Sequence, residues 1–496
     1  MKPLSASRLA RSVGAGQFFT LSFAAIVGVG WIVVLGDWLR QGGPVGAITG
    51  FVLAAVVMIL VGMCYAELGA ILPVSGGEIA YVYEAFGLRT SFLAGWALSL
   101  AYIATTSFEA ISASWIAGIL FPALRTFSLY TVRGVPVRAG DIAFGWAGIG
   151  FLTYLNYRSM KSSVRFQDIM TYLKVVIAGV FIGTALLWGK VSNLYPLFST
   201  AVDISYRGIL TVFSTATFWL SGFSIVAQLM EEKKKDTSYR RVAMMLLLSI
   251  TTASVFYCAL ILSCSMILPW RSLLELEMPA AAEFTVRFNS SLWTKIILFT
   301  GLLGVFATLN SFLIASSRTI FALGRSKMIH PSFANIHPVF ASPTTAVLFV
   351  GIVSAGGVLL GGGGIAPIVN MVSGCLVLVY FLVTLGLVPI RKSYADRRRL
   401  YLPGGHFIPV AAALTSLFML FESFYLPYLN NTNRMPLEWL LFLGWALTGI
   451  LLWKLAGKVR GTVSDALRRR LILGEEYCFL PSSDVSLVVP PASHVR

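Results

Sequence analysis

Charged side chains are scarce in this chain, and groupings of residues that carry out catalysis or bind metals are missing. Only 12% of the 496 residues are charged, and the sequence has four histidines and five cysteines. The cysteines form no CxxC or CxxH pair, and His330, His337 and His406 are widely spaced. We therefore predict no zinc site, no disulfide framework and no catalytic cluster, so the protein is not expected to be an enzyme or to hold a cofactor. No phosphate-binding loop is recognisable, which disfavours an ATP-driven pump.

Long apolar runs dominate what remains. Apolar residues make up 57% of the chain, and the mean hydropathy is +0.80. Runs of about 20 apolar residues, the length that crosses a bilayer, recur about twelve times. They lie near 17–38, 45–66, 88–120, 141–157, 166–188, 208–230, 242–268, 293–322, 344–362, 366–390, 406–426 and 437–456. We predict an all-α polytopic membrane protein.

The positive charges predict its orientation in the membrane. The chain has 38 Lys and Arg against 21 Asp and Glu, an excess that could indicate binding to nucleic acid. Most of these cations, however, fall in alternate loops, on the same side as residues 1–16 and 457–496. The positive-inside rule then places both termini in the cytoplasm of a protein in the cell membrane. Nucleic acid is not needed to explain the charge, and the sequence leaves the oligomeric state open.

Glycines interrupt two of the predicted spans at their centres. Gly28 and Gly30 lie in the first span, and Ser221-Gly222 lies in the sixth. Such breaks expose backbone groups that are tolerated only where they line a cavity or hold a ligand, although small residues also serve close helix packing. The odd offset of five spans predicts a five-plus-five inverted repeat over residues 17–390, followed by two helices in 391–456 and a largely disordered cytoplasmic tail, 457–496.

Several motifs occur in an order that resembles one known family. They are Gly28-Val29-Gly30, Tyr65-Ala66-Glu67-Leu68, Pro73-Val74-Ser75-Gly76-Gly77-Glu78, Phe218-Trp219-Leu220-Ser221-Gly222-Phe223, and Ala315-Ser316-Ser317-Arg318. The chain resembles the amino acid, polyamine and organocation superfamily, whose permeases share the LeuT-like fold. Trp31 and Ser224 depart from the family pattern, because an Ile-Phe pair and an acidic residue are more usual there.

The two breaks form the predicted substrate site. The N–H groups exposed after Gly28 lie at the positive end of a half-helix, which suits a carboxylate. Carbonyl groups near Ser221 and Gly222 would accept hydrogen bonds from an ammonium group. Together they would recognise the zwitterion shared by amino acids. The predicted contacts on the first broken span are Ile26, Gly28, Val29 and Gly30.

Lys174 is an ionisable residue inside the fifth span, a position that is costly and usually functional. The resemblance implies that its ammonium group bridges a carbonyl near Gly28 to Ser316 or Ser317 and couples transport to a proton. The alternative is that Lys174 reaches toward the cytoplasmic surface, because it lies only about two turns into the span.

Glu109 is the other buried charge, in the third span. It is expected to contact the substrate and to favour one with a distal positive group, through pairing in a low dielectric. A protonated, purely structural role and a role in proton relay are the alternatives. Phe218 and Trp219 are candidate lids over the substrate, and Phe218 is also a predicted contact. Ordinary packing would explain both aromatic residues equally well.

The function predicted from the sequence is secondary active transport of an amino acid or related amine, driven by protons and operating by alternating access. An exchanger that depends on neither sodium nor protons is the alternative. A channel or membrane enzyme has less support, because no cluster of His, Cys and acidic residues suggests catalysis. The predicted partners are the small-molecule substrate, the proton and the lipid bilayer.

Overall fold

The structure is a computed structural model, and it describes residues 11, 13–74, 76–158, 160–199, 205–276, 278–395, 400, 404–430 and 435–473. Helices account for most of these residues. The helices of the first half are α1 (Ala15–Ile26), α2 (Gly30–Val33), α3 (Leu35–Ile71), α4 (Gly77–Phe86), α5 (Leu88–Leu120), α6 (Ala139–Arg158), α7 (Met160–Trp188), α8 (Ser205–Trp219) and α9 (Ile225–Leu229). Those of the second half are α10 (Tyr239–Ile267), α11 (Trp270–Leu273), α12 (Pro279–Phe288), α13 (Ser291–Arg325), α14 (Thr344–Val358), α15 (Ile365–Ser393), α16 (Phe407–Asn430), α17 (Leu437–Leu455), α18 (Gly457–Gly461) and α19 (Asp465–Leu473).

Within the described residues, ten helical segments are long and apolar enough to cross a membrane. The two other predicted spans are also helical, but α14 is shorter and α6 is not among the ten. The all-α polytopic prediction is confirmed. The five-plus-five inverted repeat stays a prediction.

The first predicted span is broken, as expected from its glycines. α1 ends at Ile26, the chain leaves helical geometry at Val27 (φ −92°, ψ 81°), and α2 resumes at Gly30. α3 then continues the span and turns at Gly43, where φ is 67°. A side chain there would meet the backbone of Ser199 at 2.6 Å, so the position combines a left-handed conformation with a close approach that suits glycine.

The sixth predicted span is interrupted at the corresponding place. α8 ends at Trp219, a 3₁₀ turn covers Ser221–Ser224, and α9 begins at Ile225. Short 3₁₀ pieces inside long helices often mark hinges. The residues around both breaks are buried, which shows that the breaks lie at the centre of the bundle.

A small hairpin is the part of the fold that the sequence analysis did not predict. β1 (Ser128–Val132) pairs antiparallel with β2 (Val135–Arg138), joined by Arg133 and Gly134, both with positive φ. Such two-residue turns match the twist of a hairpin. β-branched and aromatic residues are frequent in both strands, at Tyr130, Val132 and Val135 among others, which is the signal that could have revealed it.

The molecule has two distinct ends. The hairpin face contains β1–β2, and there the Tyr130 hydroxyl donates to the carbonyl of Leu359 (2.6 Å). The terminal face contains α4, α19 and Val13, which precedes α1 and whose N–H donates to the carbonyl of Glu232 (2.9 Å). α5 links the two faces with 33 residues, about 50 Å of helix.

The segment after α17 is more ordered than predicted. α18 and α19 are helical, and Arg469 of α19 forms an ion pair with Glu84 of α4 (2.8 Å). Its polar composition suggested disorder, but anchoring to the terminal face compensates for the small apolar area. The remainder of the predicted tail, 474–496, lies outside the described residues.

Candidate functional site

The carbonyl groups at the end of α1 are bound by side chains from three other helices. Tyr257 of α10 donates its hydroxyl to the carbonyl of Ile26 (2.9 Å), and Thr308 of α13 donates to that of Ala24 (2.7 Å). The end of a helix leaves carbonyls without intrahelical partners, and here protein side chains supply them. Lys174 of α7 is the third of these side chains.

Lys174 extends from α7 to the first break. Its side chain is 1% exposed, and its ammonium group donates a hydrogen bond to the carbonyl of Val27. The same ammonium lies 5.8 Å from the ring centre of Phe23. Because the side chain points into the bundle, the alternative in which it reaches toward the surface does not describe this structure. The predicted contact with a carbonyl near Gly28 is present.

Glu109 of α5 lies against the same break. Its side chain is 3% exposed, and a side chain added at Gly28 would meet its Oε1 at 2.3 Å. The backbone N–H of Val29 donates to its carboxylate, and Lys174 interacts with it electrostatically. The other carboxylate oxygen, Oε2, has no hydrogen-bond partner. Glu109 therefore occupies the N–H group that the sequence analysis assigned to a substrate carboxylate.

The second break is surrounded by neutral hydroxyl groups. Tyr380 of α15 donates to the carbonyl of Ser221 (2.8 Å), and the Ser221 hydroxyl donates to the carbonyl of Phe218 (2.7 Å). The hydroxyls of Ser224 and Tyr102 share a hydrogen bond of 2.8 Å. Ser224 thus belongs to a network of neutral hydroxyl groups.

The two breaks touch each other through Gly222. A side chain there would lie 2.4 Å from the carbonyl carbon of Ala25 and 2.6 Å from the nitrogen of Ile26. These are backbone atoms, which cannot move aside as a flexible side chain can. Glycine at this position therefore allows the two broken spans to meet at the same depth.

The two candidate lid residues pack next to the breaks. Trp219 covers Gly30, where an added side chain would meet its ring at 2.4 Å, and it packs against Phe108 with ring centres 5.9 Å apart. Phe218 lies edge-on to Trp219 at 4.6 Å. The indole nitrogen of Trp219 is buried and has no hydrogen-bond partner. A buried donor of this kind is available to a polar ligand.

Ser316 and Ser317 are placed elsewhere. Ser316 donates to the carbonyl of Phe312 (2.7 Å), and Ser317 donates to that of Ile314 (2.8 Å) and accepts from Arg318. The α13 residue that lies against Gly28 is Thr308, about 12 Å nearer the hairpin face along the helix. Its hydroxyl lies 3.2 Å from a side chain added at Gly28. The order of the motifs predicted the correct helix, α13, but a part of that helix that lies farther from Gly28.

Three ion pairs close the terminal face. Arg318 pairs with Glu232 (3.0 Å), Arg325 with Glu231 (2.9 Å), and Arg391 with Glu67 (2.8 Å). The first pair joins α13 to the segment after α9 and is 2% exposed on both sides. Removing one partner of a buried pair leaves an uncompensated charge, so loss of Arg318 or Glu232 alone should destabilise this face.

The site offers groups that suit an organic ligand and not a metal ion. Across the part of the chain that the structure describes, no group of three or more His, Cys, Asp and Glu residues could hold a metal ion. The polar groups at the breaks are instead backbone amides and carbonyls, hydroxyls, one ammonium and one carboxylate. This set suits a small organic molecule that carries its own charges.

Known proteins resemble this chain over most of its length. The chain is 26% identical over 454 residues to the methylthioribose transporter of Bacillus subtilis, covering 90% of this chain and 93% of the relative. It is 26% identical to the branched-chain amino acid permease BcaP of the same organism, covering 90% and 92%. Cationic amino acid transporter 9 of Arabidopsis thaliana is 29% identical, over 68% of this chain and 59% of the relative.

The family model described as amino acid permease matches residues 15–447. The match includes both broken spans and ends within α17, so it covers nearly all of the described helices. The superfamily resemblance inferred from the motifs is thereby confirmed. The chain belongs to the amino acid permease family within the amino acid, polyamine and organocation superfamily, and is a membrane transporter and not an enzyme.

Proposed function

We propose that this protein takes up an amino acid or a related amine across the cell membrane by proton-coupled alternating access. In this proposal both termini are cytoplasmic, so the terminal face is the cytoplasmic face and the hairpin face is external. The substrate binds between the two breaks, and the helices that carry the breaks move against α5, α7 and α13. The family membership supports amino acid transport, and the contacts of Glu109 and Lys174 at the first break support proton coupling.

The position of Glu109 is the observation that carries the proposal. Its carboxylate accepts the Val29 N–H at the first break, where a substrate carboxylate would bind. Two carboxylates cannot share one donor in a buried site without strong repulsion. A proton on Glu109 removes its charge and weakens its hold on the amide, so that the substrate can take its place. Substrate and proton would then bind together.

Lys174 would keep this exchange electrically balanced. Its ammonium group binds the carbonyl of Val27 and interacts electrostatically with Glu109. When the proton neutralises Glu109, the ammonium group remains and the substrate carboxylate replaces the lost negative charge. A buried cation without a compensating anion is costly, so Lys174 disfavours the state in which the proton is bound without the substrate.

Glu109 lies at the backbone break, where the proposal places the substrate carboxylate and not the far end of the substrate. This placement supports the relay of a proton over recognition of a distal positive group. The relatives also carry different substrate names: branched-chain amino acids, cationic amino acids and methylthioribose. We therefore propose a zwitterionic substrate and leave its side chain to be identified by experiment.

Uptake into liposomes tests the proposal. The purified protein is reconstituted and offered labelled cationic, neutral and acidic amino acids, diamines and methylthioribose. Each compound is tested with and without an imposed pH gradient, and with and without sodium. We expect an amino acid or amine to accumulate when the outside is acidic, without a sodium requirement. Exchange that ignores the pH gradient would instead indicate an exchanger. Accumulation of methylthioribose alone would contradict a zwitterion site.

A further inference from the structure

One buried carboxyl group outside the site differs from the paired Glu67 and Glu232, because its side-chain partner is an amide and not an arginine. Glu78 is near the start of α4, and its side chain is fully buried. Its Oε2 accepts a hydrogen bond from the side-chain amide of Gln228 in α9, while Oε1 has no partner with hydrogen-bonding geometry. An ionised carboxylate needs several donors when it is removed from water. Its other donors, its own backbone N–H and the phenols of Tyr65 and Tyr102, are neutral, so burial still favours the uncharged carboxyl group.

The groups that face Glu78 are neutral at physiological pH. The phenols that interact with it come from four helices: Tyr65 (α3), Tyr81 (α4), Tyr102 (α5) and Tyr380 (α15). α9 contributes the Gln228 amide, and α13 contributes the methyl group of Ala322 next to Gly76. Burial raises the pKa of Glu78 to about 8, and its hydrogen bonds offset only part of that effect.

The start of α4 packs between α9 and α13, two helices that move relative to each other in the proposed mechanism. A side chain at Gly76 would meet the Cβ of Ala322 in α13 at 2.4 Å. One at Gly77 would meet the carbonyl oxygen of Ala227 in α9 at 2.8 Å. α9 follows the second break directly, so separating α4 from α9 would open the path from the breaks to the cytoplasmic face. The Glu78–Gln228 hydrogen bond spans that contact.

This inference rests on the alternating access and cytoplasmic placement of the terminal face proposed above. We infer that Glu78 is a proton-dependent positioning residue of the cytoplasmic gate, which we define as the contact of α4 with α9 and α13. The neutral carboxyl group holds the gate closed through Gln228. The ionised group favours the open gate, where water can solvate it.

The direction of the pH effect follows from linkage. In the closed gate the pKa of Glu78 is about 8, whereas a hydrated carboxyl group in the open gate returns to the ordinary 4.5. Below pH 4.5 both forms are protonated, so pH has no effect. Between 4.5 and 8, opening releases a proton, so a rising cytoplasmic pH favours the open gate, and above 8 the effect levels off. The open fraction should rise up to about 50-fold between pH 6 and pH 8.

The test measures access to α9 and needs no substrate. The five native cysteines are replaced by alanine, Ala227→Cys is introduced, and its labelling by a water-soluble maleimide is followed in nanodiscs from pH 5.5 to 8.5. Rates are normalised to the unfolded protein at each pH, because thiol reactivity itself depends on pH. We expect labelling to rise at least about fivefold between pH 6 and 8, within the limit set by linkage. Glu78→Gln should reduce that rise to less than about twofold.

Two further variants separate loss of the proton site from loss of packing. Glu78→Asp keeps a carboxyl group and should keep the pH-dependent rise. Glu84→Gln removes another carboxylate of α4, one paired with Arg469, and should leave the profile unchanged. The inference is overturned if Glu78→Gln retains the rise or if the parent shows none. A pH-dependent gate in a protein that accumulates no amino acid or amine would support the inference and contradict the proposed substrate class.

Discussion

The two helix breaks meet at Gly222 but differ in the chemistry around them. At the first break, a carboxylate and an ammonium group bind the backbone of Val29 and Val27. At the second, the hydroxyls of Tyr380 and Ser221 bind the backbone, and no charged side chain takes part in the hydrogen bonds described above. The charged side chains are thus concentrated at the first break, although the backbone is interrupted in a similar way at both.

This difference suggests a division of labour. A buried charge changes the energy of its surroundings strongly when it gains or loses a proton, whereas a hydroxyl group does not titrate in the physiological range. In the proposed mechanism, the first break responds to protons, and the second contacts the substrate through neutral groups whose charge does not change. The following variants test this division.

Removing the ammonium group should have the largest effect. Lys174→Ala leaves the Val27 carbonyl without its donor and Glu109 without its nearby cation. Hydrogen bonds to charged groups contribute about 1.5–3 kcal/mol, which corresponds to a loss of about tenfold to hundredfold in proton-driven accumulation. This loss is measured as substrate accumulation in liposomes under an imposed pH gradient.

Lys190→Ala is the matched control, because Lys190 is an exposed lysine beyond the end of α7. It should behave as the unmodified protein. If Lys174→Ala accumulates substrate as well as the control does, Lys174 has no part in the coupling.

Removing a neutral hydroxyl at the second break should have a smaller effect and a different character. Tyr380→Phe removes the donor to the Ser221 carbonyl while keeping the ring. A neutral hydrogen bond contributes about 0.5–1.5 kcal/mol, so KM should rise about twofold to tenfold. The pH dependence of uptake should keep its shape, since no charge is removed and the Tyr380 hydroxyl donates to the Ser221 carbonyl and not to Glu78.

Tyr172→Phe, an exposed tyrosine of α7, is the control for this variant. A changed pH profile in Tyr380→Phe alone would show that the second break also responds to protons. The proposed division between the breaks would then be wrong.

The sequence predicted the helices and the breaks well because each has a local cause. Apolar length predicts a span, and glycines at the centre of a span predict an interruption. Gly28 and Gly222 could therefore be identified without a structure. Lys174 could be identified as an ionisable residue inside a span, and the family resemblance implied its carbonyl partner on the first broken span.

The parts that were missed depend on the register between distant helices. Thr308, and not Ser316 or Ser317, lies beside the first break, and this depends on how far α13 slides along α1. The contact of Glu109 with the Val29 amide likewise depends on the packing of α5 against the break. Periodicity gives the face of a helix but not its depth relative to a neighbour. The ordered α19 was missed because its anchor, Glu84, is almost four hundred residues away in the sequence.

The most direct test of competition between Glu109 and the substrate is the affinity of the Glu109→Gln variant as a function of pH. Equilibrium binding of the identified substrate is measured from pH 5.5 to 8.5 in the unmodified protein and in the variant. In the unmodified protein, affinity should increase as the pH falls, by up to about tenfold per pH unit, because a proton must neutralise Glu109 first. The variant should bind tightly at every pH. A variant that keeps the original pH dependence would contradict the account.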